Sequence, residues 1–133
     1  MTKDETEAVI RDLFEARKQN KAPLLERFFT EDATYGISGC AEHSPLCGSM
    51  EGRDAYMGAL ASLTETFAWD DVDIHDIIVE GDRAAVFYTL TVRHIPSGAA
   101  ISTVVADRVV FRGDRIVSFI EHIDTARANA LVA

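Results

Sequence analysis

The stretch 106–124, ADRVVFRGDRIVSFIEHID, reads as two strands joined at Gly113–Asp114, and its alternation decides what faces the interior. Val105, Asp107, Val109 and Phe111 share one face of the first strand, against Ala106, Arg108, Val110 and Arg112. Asp107 is therefore an acid in an apolar row, where ionisation is costly and the pKa is expected to rise. The plainer reading of the same position is an acid paired to a nearby Arg or Tyr. The second strand depends on the turn. A three-residue loop of Gly113, Asp114 and Arg115 puts Glu121 opposite Asp107, with Cβ atoms about 5 Å apart. A two-residue turn of Gly113 and Asp114 slips the register by one and sends Glu121 outward. Turn chemistry alone leaves both open.

Further strands precede this hairpin. Val72–Val79, the turn EGD, Ala84–His94, the turn IPSG and AISTVVADRVVF form an antiparallel meander. Val86, Tyr88, Leu90, Val92 and His94 make the more apolar face of its middle strand. The first half of the chain is helical. From Glu5, Val9, Ile10, Leu13, Phe14 and Ala16 recur at helical spacing, with Thr2 or Asp4 as caps. Pro23 opens a second short helix with Leu24, Leu25, Phe28 and Phe29, and Ala33–Ile37 is a short strand. The segment 52–67 places Tyr56, Leu60, Leu63 and Phe67 on one face of a third helix. Helices followed by a meander, with no linker or repeat, predict one α+β domain: a strongly bent, cone-shaped antiparallel sheet packed on N-terminal helices. The mouth of such a cone suits a small ligand.

Composition narrows the function. The chain has 133 residues, 47% of them hydrophobic, enough for one ordinary core. A net charge of −9 with scattered Lys and Arg argues against nucleic acid as a partner. The acidic start MTKDETEAVIRDLF is unlike a secretory signal, and no apolar run reaches membrane-spanning length. The expectation is a cytoplasmic protein with no membrane partner.

The loop SGCAEHSPLCGSMEGR, 38–53, holds Cys40, His43 and Cys47, residue types that zinc prefers. Glu42 would complete only a poor ligand set, so no metal site is expected, and a reducing compartment disfavours a Cys40–Cys47 disulfide. The remaining reading is a lid or a plain loop.

In order along the chain, FFTEDATYGISG, GRDAYMGAL, EGDRAAVFYTL and ADRVVFRGDRIVSFIEHIDTA together resemble the SnoaL-like, polyketide-cyclase-like branch of the nuclear-transport-factor and ketosteroid-isomerase superfamily. The resemblance spans nearly the whole chain and implies a single SnoaL-like domain over residues 1–133, with the segment 38–51 passing the cone mouth as a lid that turns Leu46 and Met50 toward a ligand. It is much less specific for chemistry, because the fold hosts many activities. In the isomerase branch the general-base aspartate falls on Ile37 and the oxyanion-hole tyrosine on Leu13, both apolar here. The second oxyanion-hole acid falls on Asp107, and the catalytic carboxylate of the cyclases falls on Glu121, which favours the register with Glu121 inside. The dehydratase aspartate has no counterpart in ARKQN, 16–20, nor the epoxide-hydrolase Arg-x-Asp in TLTVRH.

The resulting expectation is cofactor-independent acid–base chemistry, Glu121 the base and Asp107 the acid, on a small carbonyl compound of polyketide or terpenoid character. Tyr35, Tyr88, Leu90, His94 and Phe119 would bind the ligand, and Trp69 could join them. His75 and His122 are read as surface residues. The alternative is a ligand-binding or dimerisation module without catalysis. The outer sheet face, with Thr89, Thr91, Arg93, Ala106, Arg108, Val110, His122 and Asp124, is expected to make a homodimer, as the resemblance implies.

Overall fold

A computed structural model describes every residue except Cys40, His43, Pro45 and Ala133. Helix α1 (Lys3–Lys18) starts at a capping box: the Glu5 amide donates to Thr2 Oγ1 at 3.1 Å and the Thr2 amide to Glu5 Oε1 at 2.8 Å. A 3₁₀ helix, Ala22–Phe28, carries Pro23 in its first turn. Strand β1 (Phe29–Ile37) and a short β2 (Gly48–Glu51) precede α2 (Arg53–Thr66). The meander is β3 (Phe67–Glu80), β4 (Arg83–His94), β5 (Ala100–Arg112) and β6 (Arg115–Ile123), and α3 (Thr125–Val132) closes the chain.

The six strands form one open sheet in the order β2-β1-β6-β5-β4-β3. Its curvature has local causes. Strand β3 carries register shifts at Trp69/Asp71 and at Ile74/Asp76, and β6 carries another against Val110/Phe111; each bulge bends its strand and adds twist. On the concave face α1, the 3₁₀ helix and α2 bury Ile10, Phe14, Leu25 and Tyr56 against Val86, Val109, Ile116 and Phe29. Phe14 sits edge-on to both Trp69, at 5.4 Å, and Tyr88, at 4.8 Å. Fully burying such a ring contributes about 2 kcal/mol, so this cluster pins α1 to the middle of the sheet.

The structure revises five expectations. The sheet is not wholly antiparallel: β1 pairs parallel to β6, because β1 enters from the helical half of the chain and not through a hairpin. The 38–51 segment is not all loop, since Gly48–Glu51 pairs with β1 as an exposed edge strand. Met50 stands opposite Tyr35 at the rim and is exposed, whereas Leu46 is half-buried. Helix α3 was not foreseen. Asp124, expected on the outer face, is at its start: Asp124 Oδ1 accepts from the Arg127 amide at 3.1 Å. Ala128 and Leu131 of α3 are buried across the cone mouth.

The fifth revision concerns the decisive hairpin. Arg112 pairs with Arg115, so Gly113 (φ 64°) and Asp114 form a two-residue turn, the option that should have sent Glu121 outward. Yet Asp107 pairs with Glu121. The register shifts between Phe111↔Ile116 and Val110↔Ser118, leaving Val117 as the extra residue. Before the bulge Ile116 is inside; after it Phe119 and Glu121 are inside and His122 is exposed. One inserted residue reverses the face of the rest of the strand.

Candidate functional site

Three neighbouring strands bring Tyr88 (β4), Asp107 (β5) and Glu121 (β6) together on the concave face. The Tyr88 hydroxyl donates to Asp107 Oδ2 at 2.8 Å, and Glu121 Oε1 lies 3.5 Å from the same hydroxyl. Asp107 is 2% exposed and Glu121 8%. Asp107 Oδ1 has no hydrogen-bond partner among the described residues. Burial first, and then the Glu121 charge, hold the Asp107 carboxyl well above its ordinary range. Burial pushes Glu121 up to about 6, against the opposing pull of the Arg17 guanidinium and the Tyr88 hydrogen bond. The two acids share one environment and titrate as a pair. The physical assignment follows from their burial: Asp107, deeper and with an unanswered oxygen, keeps its proton, and Glu121 ionises first.

A narrow cavity lies between this row and the helices. It has two lobes of about 30 Å³ and about 50 Å³, room for a few waters. Arg17, Tyr35, Trp69 and Glu121 belong to the walls of both lobes. Phe119 lines the first and Leu90 the second. Tyr35 stacks on Phe119 at 5.8 Å, and burial followed by the Glu121 charge holds its phenol well above the ordinary range. Among the residues expected at the site, Tyr88 and Asp107 lie behind the wall. His94 is farther out, with Nδ1 2.8 Å from Ser97 Oγ and its ring 5.7 Å from Phe67. It borders a wider vestibule of about 720 Å³ shared with Met50 and Cys47.

Sequence reasoning passed over Arg17. Ile10, Leu13, Phe14 and Arg17 stand at i, i+3, i+4 and i+7 of α1, so the arginine falls on the helix's apolar stripe. A charge in that position was the available signal. The side chain is 8% exposed. Nη1 donates to Asn20 Oδ1 at 2.7 Å and Nη2 to the Phe67 carbonyl at 2.9 Å, with Cζ 5.1 Å from the Trp69 ring centre. Burial draws its pKa down, and Tyr35 and Glu121 draw it back up.

No group of His, Cys, Asp and Glu among the described residues is arranged to hold a metal ion. Cys40 and His43 lie outside the described residues; Cys47 is buried with a free thiol donating to the Ser38 carbonyl at 3.3 Å. No helix among the described residues is long and apolar enough to cross a membrane.

The fold has many solved counterparts. An NTF2-like protein of unknown function from Burkholderia pseudomallei superposes with a TM-score of 0.83 at 19% identity, covering 100% of this chain and 99% of its own. A putative isomerase from Bacillus subtilis superposes at 0.86 with 12% identity, covering 97% and 93%. TerC, co-crystallised with polyporic acid, superposes at 0.81 with 15% identity, covering 96% and 98%. At these identities the likeness is one of fold. A search of curated proteins found no match. The SnoaL-like domain profile matches residues 10–119, which take in α1 from Ile10, all of α2, Asp107 and β6 up to Phe119. The chain belongs to the SnoaL-like domain family.

Proposed function

We propose that the protein is a cofactor-independent acid–base catalyst acting on a small, mostly apolar carbonyl compound of polyketide or terpenoid character. The observation that carries this reading is Glu121: a carboxylate on an apolar cavity wall, held near about 6, where a general base works close to neutral pH. A proton moves from the carbon beside the substrate carbonyl to Glu121, leaving an enolate. Return of that proton elsewhere gives isomerisation; attack of the enolate carbon on a second carbonyl gives ring closure. Asp107 does not reach the cavity and acts through Tyr88. Tyr88 links the two acids: its hydroxyl donates to Asp107 Oδ2, with Glu121 Oε1 3.5 Å from the same oxygen, so a change of charge on either acid is felt by the other. The binding groups are Tyr35, Leu90 and Phe119, with His94 at the outer approach. A fold neighbour co-crystallised with polyporic acid supports a small organic ligand in the cone.

The test is α-proton exchange of 2-indanone in D₂O, followed by proton NMR. The wild-type protein is expected to accelerate exchange at least about 100-fold over Glu121→Gln. Equal rates would favour the second reading, a binding or dimerisation module. That reading has its own support in the outer sheet face, where Ile78, Phe87 and Val104 are exposed, an apolar surface that a second copy of the chain would cover in a homodimer.

A further inference from the structure

Arg17 is expensive where it stands. A guanidinium taken from water into an apolar pocket carries a large desolvation cost unless other charge offsets it. No carboxylate touches it in the free protein: Arg17 makes no ion pair among the described residues, and Glu121, in the same cavity wall, offsets the cost only from beyond ion-pair distance. Its two hydrogen bonds go to neutral acceptors, the Asn20 side chain and the Phe67 carbonyl. A guanidinium has five N–H donors, so three of them have no hydrogen-bond partner among the described residues. The group is also fixed. Asn20, in the left-handed region at φ 57° just past the helix, turns its side chain back onto Nη1. The Phe67 carbonyl, at the junction of α2 and β3, holds Nη2, and the Trp69 ring lies beside the plane. A clamp alone would need only those contacts, yet Arg17 also forms wall in both lobes of the cavity, with Glu121.

We infer that Arg17 is the anion-binding end of the cavity, and that the ligand is a small organic anion whose carboxylate or acidic enol oxygen seats on the unused guanidinium donors while its apolar body extends past Leu63 and Leu90 toward the vestibule. This names the substrate class within the reading above and rests on it, in that the same cavity is taken as the substrate site. A planar, pre-oriented fork matches such oxygens with two parallel hydrogen bonds. The anion would supply the direct, hydrogen-bonded ion pair that Arg17 lacks among the described residues.

The chain has a single tryptophan, and Trp69 is in the cavity wall, so its emission reports binding. Phenylacetate and its neutral amide, phenylacetamide, are titrated at pH 7.5 into wild type, Arg17→Met and Arg17→Lys. Wild type is expected to bind the acid at least tenfold more tightly than the amide. Arg17→Met should bring the two to parity, and Arg17→Lys should retain part of the preference, a pattern that a purely structural role would not produce. Equal binding of acid and amide by wild type, absence of phenylacetate binding up to 10 mM, or an undiminished preference in Arg17→Met would overturn the inference; if Arg17→Met does not fold, the lysine variant decides, a preference as large as wild type's overturning it. The same titration on Glu121→Gln separates this from catalysis: a preference for the acid kept there, with exchange of 2-indanone absent in wild type, would remove the enzyme reading and leave the anion site standing.

Discussion

Replacing Glu121 with Gln should make the protein more stable at neutral pH, although it removes the proposed base. In the folded chain the Glu121 carboxyl titrates at about 6, against an ordinary 4.5. Its folded value is raised, so the folded state holds the proton more tightly than the unfolded state does. The stability due to this group is therefore complete below pH 4.5 and is lost as pH rises through 6. A difference of about 1.5 pH units corresponds to about 2 kcal/mol. Gln keeps the shape and does not titrate. The variant's stability relative to wild type should thus increase by about 2 kcal/mol between pH 4 and pH 8. Repulsion from the net charge of −9 acts on both proteins and largely cancels. Asp107 adds to the effect, because it is pushed up in part by the Glu121 charge, a push the variant lacks. Urea unfolding followed by Trp69 emission at five pH values measures this. A stability difference constant to within about 0.5 kcal/mol across that range would refute the buried-carboxylate reasoning.

Asp107→Asn keeps the side-chain shape and removes the buried acid, so at pH 8 its urea midpoint should equal or exceed that of wild type; a loss above about 2 kcal/mol would mean the carboxylate is paired and stabilising. Deleting Val117 removes the bulge and leaves a regular ladder in which Glu121 still stands opposite Asp107, so the raised Glu121 midpoint should persist by NMR; an ordinary midpoint of about 4 would contradict the register argument. Light scattering at micromolar concentration should give about twice the 14.6 kDa chain mass, and Val104→Asp, at an outer-face position 65% exposed, should halve it; a wild-type monomer would rule out the homodimer.

The legible parts of the fold were those governed by period. Alternation along β4 and β5 assigned Val86, Tyr88, Leu90 and Val92, and then Val105, Asp107 and Val109, to the face that is buried. The apolar stripe of α1 was equally plain, and of the two candidate caps, Thr2 and Asp4, Thr2 is the one that caps it. What escaped has no period to read. The extra residue at Val117 is a single insertion, visible only once β5 and β6 are paired. The β2 strand is four exposed residues held by pairing with β1, not by any pattern of its own. Helix α3 is eight residues long and depends on Asp124 and on burial of Ala128 and Leu131, tertiary contacts that local propensity does not announce. Arg17 was hidden by its own charge: a helix read for apolar spacing passes over an arginine at i+7. Of the proposed site, the two acids and three of the cavity-wall residues, Tyr35, Leu90 and Phe119, were named from the chain alone, whereas the cationic wall and the helix across the mouth were not.

The central claim is that two carboxyl groups share one buried site, and carbon-13 NMR of the Asp and Glu side-chain carboxyls across pH 3 to 9 tests it most directly. Two resonances should shift together, Glu121 with an apparent midpoint of about 6 and Asp107 well above its ordinary range. Uncoupled, ordinary midpoints for every carboxyl, Asp107 and Glu121 included, would contradict it.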